Sequence, residues 1–189
     1  MINYLDDLNE VKVILDAGKV ILCPTDTIWG LSCNALDHEA VKKIYTIKQR
    51  DPDKPFIILV ESVHHLKDWI VDIHPRIETL IHYHKRPLSI IYKAGEKLPS
   101  YLTNRQGTVA IRVTKNEMLK ELIQLVGQPI VSTSANIQNE KAPVNFEDIS
   151  PLILGSVDYV FETGQNAKNK ARSSQIITFD KEGEITFLR

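Results

Sequence analysis

The spacing of apolar residues along the chain predicts helices that alternate with buried strands. Helical spacing predicts a first helix ended by Gly18, with the apolar face Leu5, Leu8, Val11, Ile14 and Leu15. A second helix is predicted to begin after Asp37, a favourable N-cap, and to end near Arg50, before the loop bounded by Pro52 and Pro55. Helical spacing returns around 63–70, 77–84 and 146–154.

Continuous or alternating apolar runs predict the strands, which lie at 20–23, 56–60, 88–92, 108–113, 129–132, 157–161, 175–179 and 184–188. The turn residues 180–183 predict that the last two strands form an antiparallel hairpin. A capping box from Thr114 to Glu117 is predicted to open a further helix, which ends at Gly127. Strands interleaved with helices indicate a mixed α/β domain with a large twisted sheet.

The composition is that of an ordinary globular protein and favours one domain over residues 1–189. The net charge of −1 gives no overall bias towards nucleic acid or an anionic membrane, so any basic surface must be local. Cys23 and Cys33 lack metal or redox spacing and indicate reduced, buried thiols. Because neither a secretory signal nor a membrane-spanning run is found, we expect a cytoplasmic protein that does not enter a membrane.

The most informative segment follows the first predicted strand. Its apolar run breaks at Pro24 into Thr25, Asp26 and Thr27, and the chain then continues to Gly30. Two hydroxyls and a carboxylate in succession are unfavourable in a core strand, but they suit a ligand pocket at the end of a strand. An ordinary strand-to-loop turn uses the same residue types, so both interpretations stay open for this segment.

A second candidate segment carries three cations, Lys48, Arg50 and Lys54, from a helix C-terminus into a proline-bounded loop. In an unwinding segment these cations can converge on one polyanion. Alternatively, they compensate the negative end of the helix and pair with Asp51 and Asp53.

A third segment ends a buried strand in polar groups, Ser132, Thr133, Ser134 and Asn136. Ligands of open α/β sheets bind beyond the carboxyl ends of strands, where such groups face a crevice. Serine and asparagine can instead cap a following helix, although Pro143 and its neighbours disfavour an immediate one.

The common nucleotide and hydrolase motifs are absent from the sequence. It contains neither a Gly-x-Gly-x-x-Gly fingerprint nor a phosphate loop, and no nucleophile elbow or zinc-protease motif. The pairs His64–His65 and His82–His84 have spacings that diverge on a helix, so we interpret these histidines as surface or hydrogen-bonded residues rather than metal ligands.

Taken together, the segments at 24–31, 48–55, 108–113 and 132–136 resemble the YrdC/TsaC family in content and order, and the resemblance spans about residues 11–189. It implies a single α/β domain with a large twisted mixed sheet, helices packed around it and a concave ligand-binding face. The implied activity is the synthesis of threonylcarbamoyl-AMP from L-threonine, bicarbonate or CO₂, and ATP, for threonylcarbamoyladenosine in tRNA.

The resemblance also assigns site residues, position by position. Its Lys-x-Arg element implies catalytic roles for Lys48 and Arg50. Implied L-threonine contacts are Thr27, Arg112, Ser132 and Ser174. Implied ATP contacts are Lys48, Arg50, Lys54, Thr108, Ser134, Asn136 and Arg189.

The implied reaction needs positioning and positive charge rather than a protein nucleophile, because the N-carboxylate of threonine attacks the α-phosphate. No carboxylate cluster in the sequence suggests a metal cage built by the protein, so we expect Mg²⁺ to arrive with ATP. The resemblance further implies a downstream threonylcarbamoyl-transferase complex as a partner.

Three positions depart from the family pattern: Leu59, Ala142 and Arg86. The alternative function is a double-stranded RNA or tRNA-binding module of the same fold without synthase activity. A pI near 6.6 is unfavourable for general RNA binding, although a local basic face would suffice.

Overall fold

The computed structural model describes residues 4–167 and 173–188. Within these ranges one mixed sheet of nine strands has the order β7-β1-β2-β6-β3-β5-β4-β8-β9. The strands are β1 Ile21–Cys23, β2 Gly30–Asn34, β3 Ile57–Val60, β4 Leu88–Lys93, β5 Thr108–Val113, β6 Ile130–Ser134, β7 Tyr159–Val160, β8 Gln175–Phe179 and β9 Ile185–Phe187.

Six α-helices accompany the sheet in the described ranges: α1 Leu8–Asp16, α2 His38–Lys48, α3 Val63–Lys67, α4 Pro75–Tyr83, α5 Glu117–Val126 and α6 Pro151–Leu154. Short 3-10 helices span Ser100–Leu102 and Phe146–Asp148. Helix α1 packs against α5, and α2 packs against β2. Apolar residues of the central strands and these helices form one core.

The helix that delivers the basic segment has well-defined ends. Asp37 caps α2, as predicted, by accepting a hydrogen bond from the Ala40 amide at 2.9 Å. At the other end Gln49 adopts a left-handed conformation with φ of 50°, which stops the helix directly after Lys48. Arg50 therefore leaves the helix in a new direction.

Two sequence predictions at helix starts are wrong. Leu5 lies before α1, which begins after its N-cap Asp7, and the Leu5 side chain is exposed. Helix α5 is capped by Asn116 rather than by a box starting at Thr114, because the Thr114 amide donates to Val60 O at 3.0 Å and so extends the β3–β5 pairing.

Strand β2 was not predicted from the sequence; it lies between β1 and β6 and pairs antiparallel with both. The predicted β8–β9 hairpin is confirmed by antiparallel pairing of Thr178 with Thr186. Both cysteines are buried, as predicted, and burial raises the pKa of the Cys23 thiol to about 11. In the part of the chain that the structure describes, no helix is both long and apolar enough to cross a membrane.

Candidate functional site

A cavity of about 310 Å³ lies where the ends of the central strands meet the loop after β1. Its lining includes eight hydroxyl side chains, Thr25, Thr27, Thr108, Ser132, Thr133, Ser134, Ser173 and Ser174. Two arginines, Arg50 and Arg112, also line it. A cavity with many hydroxyls and two guanidinium groups suits a polar, anionic ligand.

Strand β5 forms one wall through alternate residues. Thr108, Ala110 and Arg112 line the cavity, while Val109 and Ile111 belong to the core. Because each strand residue rises by about 3.3 Å, Thr108 and Arg112 lie about 13 Å apart along this wall. Strand β5 therefore defines two ends of the cavity, a Thr108 end and an Arg112 end.

The neighbouring strands extend these two ends. Strand β3 runs parallel to β5 with Ile58 opposite Ile111, so the residues just before β3 lie at the Thr108 end. On β6, Ser132 pairs with Ile57, and Ser134 lies further towards the Thr108 end. Thus Arg50, which binds the loop before β3, and Ser134 share the Thr108 end of the cavity.

The loop after β1 is organised by its own hydroxyls. Thr25 Oγ1 accepts a hydrogen bond from the Thr27 amide at 3.0 Å and donates to Ile28 O at 2.7 Å. The hydroxyls of Thr25 and Thr27 lie 2.8 Å apart. This turn directs the buried Thr27 side chain into the cavity. The pocket interpretation of the segment is consistent with this geometry.

Arg112 and Asp26 form an ion pair at the wall of the cavity, with 3.2 Å between Nη2 and Oδ1. The second oxygen of Asp26 accepts a hydrogen bond from the Lys115 amide at 3.2 Å. Both side chains are almost completely buried, so low local polarity strengthens their attraction. The pair fixes the position of the loop after β1 relative to β5.

Two serines line the middle of the cavity and its Arg112 end: Ser132 is level with Ala110, and Ser174 contacts Ser89, which is level with Arg112. Ser132 is buried on β6, and a Cβ atom on Gly30 would lie 3.0 Å from its hydroxyl, so glycine permits the close approach of β2 to β6. Ser174 is buried as well, and its hydroxyl lies 2.9 Å from that of Ser89 on β4.

Arg50 is held by the loop that follows it. Its Nε donates to Lys54 O at 2.9 Å and its Nη2 donates to Pro55 O at 3.3 Å. The guanidinium carbon lies 5.1 Å from the centre of the Phe56 ring. These contacts hold the arginine at the cavity lining.

Lys48 is buried at the end of α2, next to the carboxyl end of β6. Its Nζ donates to Ser134 O at 2.5 Å, to Asn136 O at 2.6 Å and to Asn136 Oδ1 at 3.3 Å. An ammonium has three N–H donors, and these three acceptors match them. Burial and the Arg50 charge lower the pKa of Lys48 to about 8.

The family model for Sua5, YciO and YrdC, described as "Telomere recombination", matches residues 13–189. The chain belongs to the Sua5/YciO/YrdC family. The resemblance inferred from the motifs is thereby confirmed. This chain is 31% identical over 171 residues to "Threonylcarbamoyl-AMP synthase" of Pyrococcus abyssi, and the alignment covers 87% of this chain and 50% of that protein. It is also 31% identical over 180 residues to "Threonylcarbamoyl-AMP synthase" of Xanthomonas euvesicatoria, and that alignment covers 90% of this chain and 96% of that protein.

Solved structures agree with this family assignment. The structure of P. abyssi Sua5 complexed with L-threonine matches with a TM-score of 0.86 at 29% identity and covers 96% of this chain and 53% of that one. E. coli YciO matches with a TM-score of 0.81 at 20% identity, and the match covers 96% of this chain and 87% of that one. This match supports the fold alone. The predicted fold class, α/β with a large mixed sheet, is confirmed. The chain spans about half the length of the P. abyssi protein.

Seven of the residues singled out from the Sua5/YciO/YrdC resemblance line the same cavity: Thr27, Arg50, Thr108, Arg112, Ser132, Ser134 and Ser174. Lys48, Lys54 and Asn136 lie outside this lining; Lys54 is exposed. Arg189 lies outside the described residues. The individual roles in ligand binding stay predictions.

Asn104, in the turn before β5, also lines the cavity and was not predicted as a site residue from the sequence. A turn signal was available, since Asn104 and Gly107 bracket a four-residue turn closed by a 2.9 Å hydrogen bond from Gly107 N to Asn104 O. Of the three departures from the family pattern, Leu59 is buried within β3, Ala142 is partly buried and Arg86 is exposed, and none lines the cavity.

Histidines and acidic residues show no clustering typical of a metal centre in the ranges 4–167 and 173–188, where no group of three or more His, Cys, Asp or Glu side chains could hold an ion. His65 instead contacts Glu61, and His84 lies 3.0 Å from the Gln175 side-chain oxygen. These two histidines are therefore hydrogen-bonded residues.

Proposed function

We propose that this protein is a threonylcarbamoyl-AMP synthase, which converts L-threonine, bicarbonate or CO₂, and ATP into threonylcarbamoyl-AMP and pyrophosphate. The observation that carries the proposal is one cavity with a guanidinium group at each end, Arg112 and Arg50, and hydroxyls between them. Such a cavity can hold an amino acid beside a nucleotide. Relatives named for this activity support the proposal.

The chemistry requires no nucleophile from the protein. The amine of threonine forms an N–C bond with CO₂ and loses a proton, which gives an N-carboxylate. An oxygen of this carboxylate attacks the α-phosphorus, the bond between that phosphorus and the bridging oxygen breaks, and pyrophosphate leaves. The protein must hold two anionic reactants together and stabilise the charge on the phosphates.

The Arg112 end fits the amino acid. A guanidinium binds a carboxylate with two parallel hydrogen bonds, and Asp26 holds that of Arg112 in place. Thr27, Ser132 and Ser174 are buried hydroxyls, which suit the hydroxyl and the amine of threonine. The relative P. abyssi Sua5 has been solved in complex with L-threonine, which supports L-threonine as a ligand.

The Thr108 end then receives ATP. Arg50 supplies charge, and the hydroxyls of Thr108 and Ser134 supply hydrogen bonds to phosphate or ribose oxygens. Lys48 binds the carbonyls of Ser134 and Asn136, so it holds the end of β6 at this site. The ATP contacts that the family resemblance implies for Lys48, Lys54, Asn136 and Arg189 remain part of the proposal.

The donor set of the cavity fits a metal ion that arrives with its nucleotide. Its described lining residues include eight hydroxyls and no carboxylate, so phosphate oxygens would supply the charged ligands of Mg²⁺. Bound with ATP, Mg²⁺ would neutralise charge on the phosphates. Arg50 adds positive charge from the protein side.

We further propose that the product passes to a downstream threonylcarbamoyl-transferase complex that modifies tRNA in the cytoplasm. A mixed anhydride of a carbamate and a phosphate is reactive, so a consuming transfer reaction must follow its synthesis. Direct binding of tRNA or double-stranded RNA stays a prediction.

Pyrophosphate release by the purified protein tests the proposal. Release should require ATP, L-threonine and bicarbonate together, and omission of any one should reduce it to background. Arg112→Met should abolish release, whereas Arg76→Met, which alters an exposed arginine outside the lining, should not. Release that is independent of threonine, or none with all three substrates, would refute the proposal.

A further inference from the structure

Asn104 is held in a turn that fixes its side-chain amide. The Asn104 Oδ1 accepts hydrogen bonds from the Gln106 amide at 3.0 Å and from the Thr108 amide at 2.9 Å. The backbone closes the same turn, since Asn104 N donates to Thr108 O at 3.0 Å. Because only the oxygen of a carboxamide accepts from backbone N–H groups, these contacts identify which end of the amide is the oxygen.

The nitrogen of this amide has no acceptor among residues 4–167 and 173–188. Both lone-pair positions of Oδ1 are occupied by the turn, and Nδ2 points away from it on the opposite side of the carboxamide. Asn104 also lines the cavity. The residue is therefore a rigid hydrogen-bond donor at the cavity wall, with two N–H groups to offer a ligand.

The surroundings of Asn104 show which part of a ligand it can meet. The turn from 104 to 108 lies at the Thr108 end, and an ion pair between Arg105 and Asp53 joins it to the loop after α2. Apolar side chains line the cavity from the Thr108 end to its middle: Pro55, Phe56, Ile57, Ile91 and Ala110. A nucleotide base has apolar faces and a few ring nitrogens that accept hydrogen bonds, and this combination matches such a wall.

We propose that the Asn104 side-chain amide donates a hydrogen bond to a ring nitrogen of the adenine base of ATP. The inference rests on the proposed function and names a residue that recognises the base through a hydrogen bond. The phosphates do not need this donor, since Arg50 provides charge at the same end of the cavity. Threonine is assigned to the Arg112 end, about 13 Å away along β5.

Asn104→Asp tests this role without disturbing the turn. Aspartate keeps the acceptor oxygen that binds the Gln106 and Thr108 amides, and replaces the NH₂ donor with an acceptor. We expect the dissociation constant for adenosine, measured by calorimetry, to rise at least about tenfold. The melting temperature and the KM for threonine should stay close to those of the wild type.

Adenosine carries no phosphate, so its binding separates loss of the donor from charge repulsion. Gln106→Glu is the matched control, because it adds the same charge to the exposed neighbouring side chain, which lies outside the lining. It should bind adenosine as the wild type does. Asn104→Ser provides a second variant that can still accept hydrogen bonds in the turn but lacks the amide donor, and it should show the same loss.

Unchanged adenosine affinity in folded Asn104→Asp and Asn104→Ser would overturn the inference, even if ATP binding became weaker through repulsion. Loss of adenosine affinity to the same extent in Gln106→Glu would also overturn it. The proposed function fails separately: a wild-type protein that binds adenosine through Asn104 but forms no pyrophosphate would leave this inference standing and refute the synthase activity.

Discussion

The guanidinium of Arg112 lies 3.2 Å from the carboxylate of Asp26, and their side chains are only 5% and 7% exposed. Asp26 belongs to the loop after β1 and Arg112 to β5, so the ion pair joins two separate walls of the cavity. A buried cation without a partner is costly, and here the partner is a residue that sits next to Thr27. The charge that is proposed to receive the threonine carboxylate is therefore positioned by the hydroxyl loop itself.

Asp26→Asn should lower stability and weaken threonine binding together. The variant leaves Arg112 buried without its counter-charge, so we expect the free energy of unfolding to fall by about 3 kcal/mol. The KM for threonine should rise at least about tenfold, with little change in the KM for ATP. Denaturant titration and steady-state kinetics measure the two effects.

A double variant separates stability from binding. Asp26→Asn combined with Arg112→Met removes both charges, and it should regain part of the lost stability while staying inactive with threonine. If Asp26→Asn alone kept wild-type stability and KM, the ion pair would have no role in positioning Arg112.

Arg50→Ala should mainly affect ATP. The substitution removes the charge at the Thr108 end of the cavity and the two hydrogen bonds to Lys54 O and Pro55 O. We expect the KM for ATP to rise at least about tenfold and the free energy of unfolding to fall by about 1–2 kcal/mol. Lys42→Ala, which truncates an exposed side chain outside the lining, should have a much smaller effect on both. An ATP KM that changes as much in Lys42→Ala as in Arg50→Ala would contradict this assignment.

The wild-type rate should decline on the alkaline side of about pH 8, where Lys48 loses its proton. A neutral amine has two N–H donors instead of three and no charge, so its hold on Ser134 and Asn136 weakens. Arg50 lowers the pKa of Lys48 and Glu140 raises it, and these are the charged groups that act on the ammonium.

Stability should move in the opposite direction over this pH range. The folded-state pKa of Lys48 lies below its ordinary value of 10.5, so above pH 8 the unfolded chain holds a proton that the folded protein has released. The contribution of Lys48 to the free energy of unfolding therefore rises between these two values. In Lys48→Met both trends should disappear. Since the substrates titrate identically in the two assays, a ratio of wild-type to variant rates that is independent of pH would show that Lys48 does not cause the decline.

Thr27→Val should reduce the discrimination between threonine and its analogue without a hydroxyl. The wild type should prefer L-threonine over L-serine by about 10–200-fold, the usual worth of one methyl group in a pocket, and should also prefer it over 2-aminobutyrate. Valine has the shape of threonine but cannot replace the hydroxyl at this position, so the preference over 2-aminobutyrate should shrink. Specificity constants for the three amino acids measure this. If the ratio of the specificity constants for threonine and 2-aminobutyrate were the same in Thr27→Val and the wild type, the substrate hydroxyl would not contact Thr27.

Parts of the fold with a regular pattern could be predicted from the sequence. Strands β5 and β8 have the predicted bounds, because apolar residues run through them between turn signals. Strand β2 was missed because Gly30, Ser32 and Asn34 are poor strand formers. Its position between β1 and β6 overrides this preference, and even the Ser32 side chain is fully buried there.

Parts of the site that depend on distant contacts could not be predicted. The three acceptors of Lys48 lie 86 and 88 residues further along the chain, so no local pattern indicates that its ammonium is buried against carbonyl groups. The ion pair of Asp26 with Arg112 likewise depends on how the loop after β1 meets β5. Motif order indicated which segments meet, whereas the partner of each charge is decided by the packing of the sheet.

The identity of the product tests the central claim most directly. Wild-type protein incubated with ATP, L-threonine and ¹³C-labelled bicarbonate should form threonylcarbamoyl-AMP, and mass spectrometry should detect it with one labelled carbon, in equal amount to the pyrophosphate released. The label should be absent when threonine is omitted. Formation of threonyl-AMP without the labelled carbon, or pyrophosphate without any threonine-containing nucleotide, would contradict the account.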